Sequence, residues 1–284
     1  MFAGIRHFEL AGEHSAARSP MVVLYPTTAM PVPVKVGPYL EELSADARMA
    51  SGQHLLAIIS HGSGGSHLAY LTLAADLARN GFVVALPEHP GNNRNDNRLG
   101  EGLENLRNRP RHIRLAIDAV LADAQIGPHV GKDSVAMIGH SMGGYTALAV
   151  AGGVPRFPPG SNQVVDVEVD PRVKALVLMA PATPWYLTEG SLARVTVPIL
   201  MFTAEHDPYT PPWQSEIVSR GIPDASLLSH RRVANAGHFS FLSPFPAAMC
   251  VPGFLPAVDP EGFDRAAFQS ELGEEVRLFL RRFI

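Results

Sequence analysis

Gly139-His140-Ser141-Met142-Gly143-Gly144 is a G-x-S-x-G stretch at a point where a strand should give way to a helix. Residues 134–138 before it are apolar and β-prone, and residues 145–151 after it are Ala-rich and suit a helix. A serine on such a sharp turn is held in a strained backbone, with its hydroxyl above the sheet edge. The glycines are needed because a Cβ would clash where helix and strand pass closely. The position of Ser141 suggests a nucleophile, and the alternative is a chance motif in a glycine-rich turn.

The bulk composition is that of an ordinary globular chain. Its 284 residues are 46% hydrophobic and 18% charged, enough for a sizeable core in one large α/β domain or two small ones. The formal net charge of −4 argues against a nucleic-acid binder. We find neither an apolar run long enough to span a membrane nor a signal-peptide core, so we expect a cytoplasmic protein. The single cysteine, Cys250, excludes an intrachain disulfide and a cysteine-based zinc cluster.

Apolar runs alternate with helical patterns along the chain. We expect an antiparallel pair of strands over residues 5–10 and 21–25, and further strands over residues 54–60, 82–86, 134–138, 173–179, 199–202 and 227–233. Helices are expected over residues 68–80, 110–124 and 264–283, with Pro110 at the start of its helix. This alternation predicts an α/β fold, a mostly parallel twisted sheet with helices on both faces, in a single domain over residues 1–284.

Three long stretches do not fit this alternation: residues 27–53, 88–109 and 152–170. Loops of this length in a compact domain are usually functional or fold over a site. We therefore expect them to shape the active site rather than to mark a domain boundary.

A serine hydroxyl needs a base to take its proton, a group to orient that base, and donors for the developing oxyanion. His238 follows the expected strand 227–233, at the sheet edge where ligands gather in α/β proteins, and is the candidate base. The alternative is a surface histidine, since the chain has 12. Asp207 follows the expected strand 199–202 and is the candidate acid. Glu205 is a rival for this role, and either carboxylate could instead cap the next helix.

The oxyanion hole needs two backbone N–H groups. Met142, directly after the serine, would supply one, and the loop 61–66 after the strand 54–60 would supply the other. Ser63 is our donor in that loop, with Gly62 and Gly64 as neighbours. The loop lacks the G-K-[ST] ending of a phosphate-binding P-loop. We expect no cofactor.

Three further histidines lie near these motifs. His61 and His140 flank the glycines, and we expect both to be structural, because the nucleophile needs only one base. His89 could lie close to His61 in space, but no ligand spacing supports a metal site, and we expect no metal.

Four motifs together resemble the α/β-hydrolase superfamily: H-G-S-G-G-S at 61–66, G-H-S-M-G-G at 139–144, E-H-D-P at 205–208 and N-A-G-H-F at 235–239. Less specific motifs resemble the dienelactone-hydrolase-like branch that includes bacterial relatives of platelet-activating-factor acetylhydrolase; they lie at residues 24–27, 60–62, 88–92, 109–110, 117–118 and 237–241. The resemblance implies Ser141 as nucleophile, Asp207 as acid and His238 as base. Dienelactone hydrolases have a cysteine at the position of Ser141, so the resemblance does not imply dienelactone as the substrate.

The expected activity is that of a serine hydrolase, acting through an acyl-enzyme on a carboxylic ester or related acyl bond of a small molecule. An amidase or peptidase would use the same triad, and a hydrolase-fold binding protein without turnover is a third possibility. The oligomeric state is left open.

Three residues are expected to contact the substrate: Gly62, Trp185 and Phe239. Trp185 would belong to a small cap. The apolar cluster after His238 either lines an acyl pocket or packs the last helix on the sheet; it comprises Phe239, Phe241, Leu242, Phe245 and Met249.

Six arginines between Arg94 and Arg114 form either a solvated surface or a rim that attracts an anionic substrate.

Overall fold

The computed structural model describes residues 1–12 and 15–284, and its centre is a ten-stranded sheet. The strands are β1 (Phe2–Gly12), β2 (Ser15–Thr27), β3 (Val32–Val36), β4 (Tyr39–Ala45), β5 (His54–Ser60), β6 (Phe82–Pro87), β7 (Val130–His140), β8 (Val173–Met179), β9 (Ile199–Ala204) and β10 (Leu228–Val233). Their order across the sheet is β10-β9-β8-β7-β5-β6-β2-β1-β4-β3.

The six strands from β5 to β10 run parallel, as the sequence predicts. Four of them, β5, β6, β8 and β9, are buried along almost their whole length, which explains their continuous apolar sequences. The long hairpin of β1 and β2 pairs antiparallel in the register Ile5↔Leu24 and joins the parallel part through β2 and β6. The carboxyl ends of the parallel strands therefore meet at one edge of the sheet.

Helices cover both faces of the sheet. Those of the described residues are α1 (Leu71–Arg79), α2 (Leu103–Ala122), α3 (Met142–Val150), α4 (Pro212–Gly221) and α5 (Arg265–Phe283). The apolar residues of α1 and α5 pack on one face, and those of α2, α3 and α4 pack on the other. Among the described residues, we find no helix with the length and apolar character needed to cross a membrane.

The prediction that Pro110 begins its helix is wrong. Helix α2 begins at Leu103, and Pro110 lies inside it. Proline has no N–H, so it leaves the carbonyl of Leu106, four residues earlier, without its usual donor. The hydroxyl of Tyr145 donates to that carbonyl over 2.9 Å. A tertiary hydrogen bond thus replaces the missing helical one and allows the helix to pass through the proline.

The three long stretches differ in what they form. Residues 32–45 contain the β3–β4 hairpin, so the expectation of an irregular loop over 27–53 is wrong for this part. The hairpin joins the sheet through two parallel pairs, Gly4↔Ser44 and Ile5↔Ala45. The stretch 88–109 is a loop only as far as residue 102, where α2 follows. Residues 152–170 contain one isolated bridge, Arg156↔Val164.

Candidate active site

Ser141 lies between the end of β7 and the start of α3, with φ 54° and ψ −119°. A positive φ is costly for a residue with a Cβ, so the serine is held in a strained conformation, as its sequence context predicts. A Cβ on Gly139 would overlap the carbonyl of Gly143, and one on Gly143 would overlap the carbonyl of Ser60. The two glycines are therefore required by the close approach of α3 to the strands, and the predicted sharp turn is confirmed.

A pocket of about 470 Å³ opens beside Ser141. Its lining includes Gly62, Ser63, Ser141, His238 and Phe239, all of which were predicted from the sequence to belong to the site. They come from the loop after β5, the turn after β7 and the loop after β10, all at the carboxyl edge of the parallel strands. This is the edge at which α/β folds bind their ligands.

His238 is held by a carboxylate. Its Nδ1 lies 2.8 Å from Oδ2 of Asp207, and both side chains are almost completely buried. Oδ2 of Asp207 also accepts a hydrogen bond from the hydroxyl of Thr210 over 2.6 Å, while Oδ1 accepts from the N–H groups of Tyr209 and Thr210. Burial alone would raise the pKa of Asp207, but the hydrogen bonds from His238 and Thr210 outweigh it and lower the pKa to about 2. The carboxylate is therefore ionised at neutral pH and orients the imidazole.

Glu205, the rival acid, has other partners. Its Oε2 accepts a hydrogen bond from the N–H of Asn235 over 2.9 Å, and its Oε1 lies 3.2 Å from a guanidinium nitrogen of Arg232. The hydrogen bond from Asn235 lowers the pKa of Glu205. Of the two carboxylates weighed from the sequence, Asp207 is the one that contacts His238.

The loop after β5 lies directly against the turn of Ser141. A Cβ on Gly62 would come within 3.2 Å of the Cβ of Ser141. The hydroxyl of Ser63 accepts a hydrogen bond from Nδ2 of Asn92 over 3.0 Å. Met142 is the first residue of α3, where backbone N–H groups have no partner within the helix. Both expected donors thus belong to segments that adjoin Ser141, and the position of Met142 at a helix N-terminus suits a negative charge.

Trp185 lies outside the pocket beside Ser141. Its side chain is 3% exposed and packs edge-on against the ring of Tyr145, with 5.0 Å between ring centroids. It belongs to the same core cluster as Tyr145 of α3 and is not among the residues that line the pocket. This placement contradicts the expectation that Trp185 contacts the substrate from a small cap.

His140 is buried behind the turn. The hydroxyl of Tyr70 lies 2.9 Å from its Nδ1, and its Nε2 lies 2.9 Å from the carbonyl oxygen of His238. Burial is the main cause that lowers the pKa of His140 to about 3, and the nearby His238 lowers it further, so the ring of His140 is neutral. A neutral imidazole that donates from Nε2 and accepts at Nδ1 fits both contacts. The arrangement agrees with the structural role expected for His140.

His61 and His89 do come together, with 4.8 Å between their ring centroids. Nδ1 of His61 lies 2.8 Å from the carbonyl oxygen of Gly62, and its Nε2 accepts from the N–H of His89. Within the described ranges we find no group of three or more His, Cys, Asp or Glu side chains arranged to hold a metal ion.

The apolar cluster after His238 divides between the two expected roles. Phe239, Leu242 and Phe245 line the pocket, whereas Phe241 is completely buried and packs edge-on against Phe268 of α5. Phe254 and Pro256 complete the apolar wall from the segment between the short helical turn 247–249 and α5. No sequence pattern marks this segment, because its irregular backbone has no hydrophobic period.

The six arginines between Arg94 and Arg114 lie in different environments. Arg94 is exposed and lines the pocket. Arg98 pairs with Asp96, and Arg111 and Arg114 pair with Glu168. Arg109 is completely buried. A continuous arginine rim is therefore absent from the described residues that line the pocket, and Arg94 is the member of the set that reaches it.

Thr210, Tyr70 and Asn92 are contacts of the site that the sequence analysis missed. The spacing of Thr210 from Asp207 was the one available signal, since an aspartate often bonds backbone and hydroxyl groups two or three residues later. Tyr70 and Asn92 reach the site from other loops, and no local pattern marks them.

Comparisons with known proteins support the fold. A family model described as the alpha/beta hydrolase fold matches residues 58–194. A search of curated proteins finds no match. Among solved structures, the chain is similar to a ferulic acid esterase from Streptomyces cinnamoneus, with 19% sequence identity and a TM-score of 0.72 over 99% of this chain and 90% of that chain. These similarities support the superfamily that the motifs indicated, and together with the sheet order they show that the chain has the α/β-hydrolase fold.

Proposed function

We propose that the chain is a serine hydrolase that cleaves a carboxylic ester or a related acyl bond through an acyl-enzyme. The observation that carries this proposal is that strained Ser141 opens into the same pocket as His238, whose Nδ1 is bonded to the buried Asp207. The order serine, acid and histidine along the chain is the one that α/β-hydrolases use.

The proposed mechanism starts with attack by Oγ of Ser141 on the substrate carbonyl carbon, while Nε2 of His238 takes the hydroxyl proton. The carbonyl π bond opens, and the negative charge on oxygen is stabilised by the N–H groups of Ser63 and Met142. When the tetrahedral intermediate collapses, His238 gives its proton to the departing alkoxide, which leaves as an alcohol. Water then attacks the acyl-enzyme with His238 as base, which releases the acid and restores Ser141.

The bond between Asp207 and His238 decides which imidazole nitrogen acts as base. A carboxylate accepts hydrogen bonds, so Nδ1 of His238 carries a proton and Nε2 has the free lone pair. The ionised Asp207 also stabilises the imidazolium that forms during attack. In the described part of the chain, Oγ of Ser141 has no hydrogen-bond partner, and such catalytic hydrogen bonds often tighten only when substrate binds.

The substrate proposed for this pocket is a small molecule with an apolar acyl or aryl group. Phe239, Leu242, Phe245 and Phe254 form an apolar wall next to Ser141, and a volume of about 470 Å³ falls in the range of small-molecule sites. Gly62 and Phe239 remain the proposed substrate contacts from the sequence. Trp185 is left out, because it is buried in the core.

The similar solved structure is that of a ferulic acid esterase, and its activity is consistent with the ester substrate proposed for this chain. The finer assignment, to the dienelactone-hydrolase-like branch with bacterial relatives of platelet-activating-factor acetylhydrolase, rests on the secondary motifs alone. An amidase or peptidase would use the same residues with an amine as leaving group, and a binding protein would lack turnover.

A series of p-nitrophenyl esters, assayed beside the matching p-nitroanilides, tests the leaving group and the acyl group together. We expect kcat/KM for the esters to exceed that for the anilides by more than about 100-fold, because p-nitrophenoxide leaves far more readily than the nitrogen of p-nitroaniline. Apolar acyl groups of medium length should give the highest values, since they fill the aromatic wall. Faster turnover of the anilides would favour the amidase alternative, and no turnover of either would favour the binding protein.

Arg94 should raise the activity toward esters whose acyl group carries a carboxylate. Its guanidinium is exposed at the pocket, so we expect Arg94→Gln to lower kcat/KM for a mono-p-nitrophenyl dicarboxylate by about 3- to 5-fold at low salt. The effect should shrink as salt is added, because exposed charges are screened. The neutral ester of equal length should be unaffected.

Arg98→Gln is the matched control for this prediction, since Arg98 lies in the same loop and already pairs with Asp96. It should change neither substrate's kcat/KM. An equal loss on the charged and the neutral ester in Arg94→Gln would show that Arg94 supports the loop rather than attracting an anion.

A further inference from the structure

Arg109 is a completely buried cation behind the proposed active site. It projects from α2, and its guanidinium donates to the hydroxyls of Thr146 and Ser60, the amide oxygen of Asn92 and the carbonyl oxygen of His61. All four acceptors are neutral. In residues 1–12 and 15–284, no carboxylate forms an ion pair with Arg109. A buried charge without a counter-charge is costly, and the four neutral acceptors around Arg109 offset part of that cost.

Three histidines near Arg109 carry no charge of their own at neutral pH. Burial lowers the pKa of His61, His89 and His112, and the charge of Arg109 lowers each of them further. The rings are therefore neutral at pH 7. Burial also lowers the pKa of Arg109 to about 9, which leaves the guanidinium charged at that pH. Arg109 is thus a fixed positive charge in a low-dielectric region next to the loop that follows β5.

The hydrogen bonds of Arg109 lead to both proposed oxyanion donors. Its Nε donates to Oγ1 of Thr146 over 2.9 Å, and that hydroxyl donates to the carbonyl of Met142 over 3.0 Å. Another nitrogen donates to Oδ1 of Asn92, whose Nδ2 donates to the hydroxyl of Ser63 over 3.0 Å. One planar guanidinium therefore reaches the residue after Ser141 through Thr146. It reaches the loop after β5 both directly, at the carbonyl of His61, and through Asn92.

We propose that Arg109 is a positioning residue that fixes the distance between the N–H groups of Ser63 and Met142, and that its buried charge favours the oxyanion. This inference rests on the proposed hydrolase function. The rigid fork of an arginine suits the role, because it holds several acceptors at set angles, which the single ammonium of a lysine cannot do. Donors that are already in place when the charge develops act on the transition state rather than on the bound substrate.

Four variants test this role with a p-nitrophenyl ester that the wild type turns over. Arg109→Met should lower kcat by about 10²- to 10³-fold with little change in KM, the loss typical of a missing oxyanion donor. Arg109→Lys keeps the charge but not the fork and should recover only part of that loss. Thr146→Val and Asn92→Ala each break one link and should lower kcat by roughly tenfold, again at constant KM. These two keep Arg109 in place and serve as the test if Arg109→Met does not fold.

A readout of transition-state binding separates positioning from simple stability. A boronic acid that forms a tetrahedral adduct with Ser141 should lose affinity in each variant in proportion to the loss of kcat. Arg107→Met is the control, because Arg107 lies exposed on the same helix, and it should leave kcat and boronate affinity unchanged. Variants that lower the melting temperature while kcat and boronate affinity stay within about twofold of wild type would overturn the proposal.

Failure of this inference differs from failure of the proposed function. If the chain is not a serine hydrolase, the wild type neither turns over the ester nor binds the boronate through Ser141. If only the role of Arg109 is wrong, the wild type does both, and the variants of Arg109, Thr146 and Asn92 do so equally well.

Discussion

Replacing Ser141 with alanine will reduce turnover of p-nitrophenyl esters to a residual rate and abolish covalent labelling by a fluorophosphonate probe. Oγ of Ser141 is the proposed attacking atom, and the variant has no other nucleophile at that point of the pocket. We expect kcat to fall by about 10⁵- to 10⁶-fold, to the residual rate left by substrate binding and the oxyanion donors. Labelling is measured by in-gel fluorescence and by the mass of the intact protein.

The fold should survive this change. Alanine and serine have the same difficulty with the φ of 54° at position 141, so the strain is not removed, and the hydroxyl has no hydrogen-bond partner among the described residues to lose. Ser226→Ala is the control, because Ser226 is an exposed serine on a surface turn and should be labelled like the wild type. Undiminished labelling of Ser141→Ala, or none in the wild type, would contradict the proposed function.

The parallel part of the sheet could be predicted because its physical signal is local. Strand β5 has the expected bounds, His54–Ser60, since a strand buried on both faces needs a continuous apolar run. The turn of Ser141 is also marked in the sequence, by glycines at positions where an added Cβ atom would collide with backbone. The sequence marks both features locally, although the carbonyl that excludes a Cβ at Gly143 belongs to the distant Ser60.

Other parts of the fold depend on contacts that a sequence does not display. The first turns of α2 are polar, and Pro110 resembles a helix start until Tyr145 is seen to satisfy the carbonyl of Leu106. The β3–β4 hairpin exposes apolar residues such as Val32 and Leu40, so it lacks the alternation that marks a half-buried strand. Its pairing with β1 is a long-range register that only the folded chain defines.

The candidate site likewise contains residues that local motifs predict and residues whose place depends on packing. Ser141, Asp207 and His238 each follow a strand in the order typical of α/β-hydrolases, so sequence motifs could nominate them as candidates. Composition could not distinguish Arg109 from the five other arginines between residues 94 and 114, because burial is a property of packing. Phe254 lies on an irregular segment, and its place in the pocket follows from the path of the chain after Phe245.

Asp207→Asn will lower kcat by about 10³- to 10⁴-fold while leaving KM nearly unchanged. Oδ2 of Asp207 accepts the hydrogen bond from Nδ1 of His238. An asparagine amide that donates at this position forces Nδ1 to accept, and the ring proton then moves to Nε2, which can no longer take the proton of Ser141. Steady-state kinetics on the best ester of the series measure the loss.

Glu205→Gln is the matched control, since it also removes one carboxylate charge from the same turn. Glu205 is partly exposed and accepts from the N–H of Asn235, a bond that the amide oxygen of glutamine keeps. We expect kcat within about threefold of wild type, because a surface ion pair such as that with Arg232 contributes little. A larger loss in Glu205→Gln than in Asp207→Asn would reverse the assignment of the acid.

The pH dependence of stability provides a second test of Asp207. Its pKa in the folded chain, about 2, lies below the ordinary value of 3.8, so the ionised carboxylate stabilises the fold above pH 3.8. That contribution is lost as the pH falls from 3.8 through about 2, where the carboxylate is protonated. The free energy of unfolding of the wild type should therefore exceed that of Asp207→Asn at neutral pH, and the difference should shrink on acidification. A difference that stays constant with pH would mean that the Asp207 carboxylate is not held by His238 and Thr210 as the structure shows.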